Sequence, residues 1–222
     1  MMAIAEPEDR VVMNGFAART LVIDDFLAEA DADRLLEQIV AGEALFTPSE
    51  IRKDTSGTTD PAFRSSLRLP GRVGVELDGL KAAVRARFDE ICAAIAVKPF
   101  PIYHTECSIV AHRDGDFYKR HIDTGAAYRG YVRVVSCVYY VHRRPRGFGG
   151  GELAIHPLVG DGPATRIEPL HNRLAVFASF VPHEVLPTRC DGGFADSRFS
   201  INCWLQRAVP PSIVQGSRAD NP

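Results

Sequence analysis

The chain is short of several things, and each shortage closes off a class. Its longest strongly apolar run, Leu174 to Val181, is about eight residues, whereas a membrane-spanning helix takes about 20. Neither sign of charge dominates: the formal net charge is −2 and the sequence pI is about 6.4. That is no electrostatic footprint for nucleic acid and offers no broad basic face to a membrane. Cysteine is sparse and odd in number, at positions 92, 107, 137, 190 and 203, with no CxxC pair. A disulfide framework does not suit a chain of this length. Cys107, Cys137 and Cys203 sit in apolar, strand-like runs and read as reduced, buried thiols. The first eighteen residues carry Glu6, Glu8, Asp9 and Arg10 where a targeting segment would need an apolar core. No internal repeat is visible. The expectation is a soluble, cytoplasmic protein that binds neither nucleic acid nor membrane; its oligomeric state is not legible.

What is present fits one domain. At 222 residues the chain can bury a sizeable core. Residues 1–18 read as a flexible lead-in, 19–207 as a single domain, and the polar segment 208–222 as a disordered tail. Within the domain, 19–98 reads as helical support. Leu21-Val22-Ile23 is a short strand, and Asp24 or Asp25 suits the N-cap of a helix running from Asp25 to about Ala41. Residues 47–70 are polar and turn-rich and read as a long loop. Leu77, Leu80, Val84, Phe88, Ile91 and Ile95 form the apolar stripe of a second helix, from about Val75 to Val97. From 101 to 207 the pattern changes to eight short β-rich runs separated by Gly, Pro and Asp, near 102–111, 117–122, 131–141, 151–156, 164–168, 173–179, 183–188 and 198–206. Strands in succession without intervening helices argue for a barrel or a double-sheet jelly roll. The class is α+β, with the N-terminal helices packed on one face of the β core.

His121-Ile122-Asp123 and the distant His183 carry the chemistry. Two histidines and one carboxylate are the ligand set of the facial triad that holds non-haem Fe(II) with positions open. In a strand, residues i and i+2 share a face, so His121 and Asp123 can aim at one point. Three protein ligands leave room for a bidentate 2-oxo acid and for O2. In Arg198-Phe199-Ser200-Ile201-Asn202-Cys203-Trp204, period two puts Arg198, Ser200, Asn202 and Trp204 on one side. A guanidinium and a hydroxyl so placed can share one carboxylate. The residues thus propose an oxygenase with an organic acid as co-substrate.

These residues resemble the 2-oxoglutarate/Fe(II)-dependent dioxygenases, in their prolyl 4-hydroxylase-like branch. The anchors run in order through Gly115 to Asp123, Val138-Tyr139-Tyr140, Gly150-Gly151-Glu152-Leu153, Arg173 to Phe177, Pro182 to Val185, and Arg198 to Ile201. The resemblance covers most of 19–207. It implies a double-stranded β-helix core and a hydroxylase that inserts one oxygen atom of O2 into an unactivated C–H bond, releasing succinate and CO2. By motif position, His121, Asp123 and His183 would hold Fe(II), and Arg198, Tyr140 and Ser200 would bind 2-oxoglutarate. Tyr118, His112 and Trp204 would line the substrate pocket. His112 or Ala111 stands where the branch often has a tyrosine. The interval from His183 to Arg198 is longer than usual, with 190–195 resembling an inserted turn. The substrate implied is a small molecule or a peptide or protein, with a prolyl or amino-acid-like group.

Other features take plainer readings. His104-Thr105-Glu106 reads as a hydrogen-bonded or solvent-facing pair, and His142, His156 and His171 as surface or turn residues. The segment 147–151 lacks the Lys-Ser/Thr of a phosphate loop and reads as a turn leading into a strand. Segments 47–70 and 124–131 are the expected lids. Two other functions stay open: a non-catalytic jelly-roll sensor of 2-oxoglutarate or metal, and a cupin-type metal enzyme that does not use O2.

Overall fold

The structure, a computed structural model, describes residues 10–14, 18–53, 56–69, 75–125 and 130–209. Two antiparallel sheets make the body. The larger has eight strands, in the order Arg10–Asn14, Ala18–Ile23, Arg173–Ala178, Tyr131–Val141, Arg198–Ala208, His104–His112, Leu67–Leu69 and Thr47–Pro48. The smaller has five, in the order Thr165–Ile167, Leu153–Ile155, His183–Val185, Phe117–His121 and Arg64–Ser65. Neighbours in each sheet are mostly distant in sequence, which is how a jelly roll gathers separated residues.

Period two decides what each strand gives to each side. In Tyr131–Val141, Cys137, Tyr139 and Val141 join one apolar cluster, while Val138 and Tyr140 join a second. In Arg173–Ala178, Leu174 and Val176 join the first, Ala175 and Phe177 the second. The second cluster also takes Leu153, Ile155 and Ile167 from the smaller sheet, so it is the interior between facing sheets. The first takes Ala32, Leu35 and Ile39 from helix Glu29–Ala41, Leu80 and Val84 from helix Asp78–Ala86, and Ile91 from helix Phe88–Ala94. Strands buried on both faces explain the near-continuous apolar runs at 134–141 and 173–178.

The structure corrects four expectations. The first helix starts at Glu29, behind an Ala28 cap that makes no side-chain hydrogen bond. Asp25 has φ 50°, which cannot open a helix. The Asp24 carboxylate instead accepts from Arg173 Nη2 at 2.9 Å. The second helix is two helices, divided at Arg87 (φ −99°, ψ 15°), and Ala96 at φ 55° closes the segment. The long loop 47–70 instead contains five short strands, and Arg64–Ser65 and Leu67–Leu69 extend both sheets. Main-chain ladders and the Ser66–Ser49 hydroxyl pair at 2.8 Å hold it, and turn-rich composition does not reveal such pairing. The lead-in holds a strand, Arg10–Asn14, pairing with Ala18–Ile23, where Val11-Val12 supply β-branched residues. Residues 1–9 and 15–17 of the lead-in, 210–222 of the tail, and 54–55, 70 and 126–129 of the expected lids lie outside the described residues.

One polar knot ties the chain before the first helix to the sheet. Asn172 (φ 59°) accepts from Tyr139 Oη at 2.7 Å and from the Leu27 amide at 2.9 Å, and donates to Leu27 O at 2.8 Å. Asn172→Ala strands the buried Tyr139 hydroxyl and puts a β-carbon residue with no local side-chain bond in the left-handed region. Urea unfolding should show a loss of about 2–4 kcal/mol, one or two buried groups left unpaired; a loss under about 0.5 kcal/mol, the usual range of a surface change, would contradict this account of the knot.

Candidate active site

His183 opens strand His183–Val185 and pairs directly with His121, which ends Phe117–His121. Asp123 lies just past that end, where its amide and that of Thr124 donate to Ser179 O at 2.9 and 3.0 Å. The three side chains therefore converge: their ligand atoms all lie within 4.8 Å of one another. Asp123 Oδ1 is 3.8 Å from His121 Nε2, and Oδ2 is 3.6 Å from His183 Nε2.

Each member is oriented from behind. His121 Nδ1 lies 2.8 Å from Lys119 O, and His183 Nδ1 lies 2.9 Å from Val181 O. Donation from Nδ1 leaves Nε2 of both rings with its lone pair facing Asp123. Burial, then the His183 ring, pushes the His121 imidazole down to about 3, so it stands neutral. Burial would raise the Asp123 carboxyl. The His183 and His121 rings and hydrogen bonds from Ser136 and Trp204 outweigh it and hold the group below its ordinary value. Ser136 Oγ donates to Asp123 Oδ2 at 2.7 Å and lies 2.8 Å from Ser179 Oγ. Tyr118 stacks on His121 with ring centroids 3.6 Å apart.

Beyond this cluster the barrel wall holds a second, cationic centre. Arg198 is 1% exposed. It faces His112 across one strand boundary, and Tyr140 faces Ser200 across the next. Arg198 Nε donates to Gly151 O at 2.6 Å, and Nη1 donates to His112 Nδ1 at 3.3 Å and weakly to Ser200 Oγ at 3.5 Å. Its Cζ lies 5.0 Å from the Tyr140 ring centroid. Burial lowers the guanidinium from its usual value, opposed by Tyr140 and by Glu152. No carboxylate among the described residues forms an ion pair with it. Arg198 Nη2, Tyr140 Oη, His112 Nε2 and Thr188 Oγ1 are buried polar atoms with no hydrogen-bond partner among the described residues.

Gly151 makes this seat possible. At φ 69° it occupies the left-handed region, and a β-carbon there would stand 2.6 Å from Arg198 Cδ and 2.9 Å from Thr188 Oγ1.

The remaining sequence candidates fall near these centres. Trp204 pairs with Ser136 across the strands and stabilises the charged Asp123; Arg133 covers its ring at 3.7 Å. Glu106, read as a solvent-facing partner of His104, instead holds Arg133 in a double hydrogen bond, at 2.6 and 3.0 Å, and accepts from Gln206 at 2.7 Å. His142 is buried rather than superficial, because its ring packs edge-on to Phe148 and His171.

Sequence reasoning missed Ser136, Arg64 and Thr188. Ser136 was findable, since period two places it on the Tyr140 side of its strand. Arg64, 4.6 Å over the Tyr118 ring, was hidden in the segment read as loop. Thr188 carried no signal.

With the geometry established, known proteins supply a frame. The model of the 2OG-Fe(II) oxygenase superfamily matches residues 107–206, the span that contains both centres. An uncharacterised PKHD-type hydroxylase of Synechocystis is 27% identical over 196 residues, covering 84% of this chain; the chain spans only 63% of that relative's length. A prolyl hydroxylase from Trichoplax adhaerens, solved with a hypoxia-inducible-factor peptide fragment, superposes with TM-score 0.64 at 21% identity, covering 84% of this chain and 82% of that one. A Pseudomonas putida prolyl-4-hydroxylase gives TM-score 0.57 at 25% identity, covering 85% and 92%. The model match lies within the β core of this chain, and that core shares its fold with the prolyl hydroxylases. The 2OG-Fe(II) oxygenase superfamily uses Fe(II), 2-oxoglutarate and O2, and the His121-Asp123-His183 cluster is compatible with them. No helix among the described residues is long and apolar enough to cross a membrane.

Gly151→Ala tests the fit of Arg198 in its seat. The β-carbon contact and the positive φ together should lower the melting temperature by several degrees, as strain of about 1–3 kcal/mol does. A melting curve unchanged from the parent would show that the wall gives way without cost.

Proposed function

We propose that this chain is an Fe(II)- and 2-oxoglutarate-dependent hydroxylase that inserts one oxygen atom of O2 into an unactivated C–H bond, releasing succinate and CO2. One observation carries the reading: a fully buried guanidinium with no ion-pair partner among the described residues shares the β core with a converged His–Asp–His set. Burying an unpaired charge costs on the order of several kcal/mol, so the site suits an anion that the described residues do not supply. Arg198 Nη2 and Tyr140 Oη, which have no partner but each other among the described residues, suit the far carboxylate of a dicarboxylic 2-oxo acid. Cationic and hydroxyl donors at one end and a neutral-nitrogen, carboxylate donor set at the other match the two ends of 2-oxoglutarate bound to iron.

His121, Asp123 and His183 would hold the metal, which when bound supplies the means of splitting O2 against the 2-oxo acid. The chain's own part is orientation. The Lys119 and Val181 carbonyls fix both imidazoles, and Ser136 fixes the carboxylate. Ser200 and Gly151 O aim the guanidinium. Tyr118, Trp204 and Arg64 would face the substrate, for which a prolyl residue or an amino-acid-like group in a peptide or small molecule is the reading that the likeness to prolyl hydroxylases supports. Residues 19–207 would act as one domain, with the helices bracing the outer face of the larger sheet.

The test is succinate release and mass gain by candidate substrates, with Fe(II) and 2-oxoglutarate present. Wild type should release succinate, and His121→Ala should lose at least a hundredfold of that rate together with the weak visible band formed anaerobically. Tight 2-oxoglutarate binding without succinate would favour a sensor; activity indifferent to O2 would favour a cupin-type metal enzyme. Ser136→Ala leaves every proposed ligand in place but removes one of the hydrogen bonds that orient the Asp123 carboxylate. Competition against a chelator should show Fe(II) or Mn(II) affinity reduced about 10–100-fold, the range for loss of an orienting partner; unchanged affinity would remove Ser136 from this scheme.

A further inference from the structure

At the ends of strands Tyr131–Val141 and Arg198–Ala208 lies a cleft of about 330 Å³ that the proposed reaction does not use. A register shift between Arg133 and Val135 breaks the alternation of the first strand, so Val132, Arg133 and Val134 line one space instead of two faces. Thr124 and Phe180 line it too, and both adjoin the main-chain hub that holds Asp123. Thr124 follows Asp123 and donates its amide to Ser179 O at 3.0 Å; Phe180 follows Ser179, whose own amide donates to Val134 O at 2.9 Å. Arg133 is the boundary with the site, since it lines the cleft and also covers the Trp204 ring at 3.7 Å.

The lining is part aromatic and part cationic. Phe100 is fixed edge-on to Phe88, with ring centroids 5.1 Å apart, and Phe180 is left 52% exposed. Lys98, Arg133 and Arg207 bring three cations, and no Asp or Glu among the described residues lines the cleft, although the whole chain has a formal net charge of −2. Glu106 neutralises Arg133 through its double hydrogen bond. Lys98 and Arg207 are exposed and take part in no ion pair among the described residues. A positive, partly apolar trough complements carboxylates interleaved with apolar side chains. Small-molecule sites enclose most of their ligand, whereas a trough whose free cations and half of Phe180 stand in solvent suits a chain lying along it.

We propose that this cleft is an exosite for a polypeptide substrate, taking a stretch of interleaved acidic and apolar residues that flanks the residue to be oxidised. Resting on the hydroxylase reading, this narrows the substrate class to polypeptides with an acidic flank. Ser136, which bonds Asp123, and Val132 lie about 13 Å apart along one strand at the ordinary rise per residue. An extended substrate covers that span in about four residues, which sets where the flank begins.

Fluorescence anisotropy and succinate release on the same labelled peptides test the exosite. One peptide carries proline, a spacer of three alanines and then Glu-Phe-Glu; its control carries Gln-Phe-Gln; both are also made in reverse order. With Mn(II) and 2-oxoglutarate present and O2 excluded, wild type should bind the Glu peptide of one order about fivefold more tightly than its control, as two solvent-exposed ion pairs allow. The preference should fade as salt is raised. Lys98→Glu combined with Arg207→Glu should abolish it and leave the anaerobic visible band unchanged; Lys98→Gln with Arg207→Gln carries the same expectation if the reversal does not fold. In air with Fe(II), the Glu peptide should show a KM lower by a similar factor at equal kcat. Equal binding of both peptides by wild type, a preference that survives the charge reversal, or displacement of the Glu peptide by an equal concentration of citrate would overturn the exosite and leave the hydroxylase reading standing. Absence of the band, and of succinate from every peptide, would instead overturn the hydroxylase reading and the exosite with it.

Discussion

A guanidinium buried without a counter-charge is the constraint on which the rest of the interior depends. Arg198 is held by a carbonyl, an imidazole and a hydroxyl, all neutral. Neutral partners orient a charge without cancelling it. The proposed function sets an anion from outside against that charge, and the wall around it has little freedom. Gly151 must lack a side chain, Tyr140 must turn inward, and His112 must keep one tautomer.

The His–Asp–His end follows a different rule. There the donor atoms are close enough to repel or hydrogen-bond one another, and the structure prevents both. Main-chain carbonyls occupy the Nδ1 side of each imidazole, and Ser136 occupies the carboxylate. Antiparallel pairing of His121 with His183 sets their separation by the ladder rather than by side-chain flexibility. Arg198 lies on a strand of the larger sheet and the two histidines on paired strands of the smaller one, so their spacing follows the sheets. Rigid elements carry a site more accurately than loops do.

Much of this was legible because strands have a strict period. His121 and Asp123 two apart, and the alternation from Arg198 to Trp204, are local patterns that survive in one dimension. The interior and helix-facing sets of Tyr131–Val141 follow from the same rule. What the sequence hid was long-range main-chain pairing. Arg64–Ser65 and Leu67–Leu69 lie in a stretch rich in Ser, Thr and Gly, and they are strands only because a sheet edge is there to receive them. The cap of the first helix failed for a similar reason: Asp24 had a distant competitor in Arg173.

The reading joins two centres through one ligand, so the most direct measurement looks at that ligand in place. A crystal structure grown anaerobically with Mn(II) and 2-oxoglutarate should show the metal touching His121, Asp123 and His183, with the acid spanning to Arg198 by its far carboxylate. A metal lodged elsewhere, or an acid whose far end lies in solvent while Arg198 stays unpaired, would contradict the account.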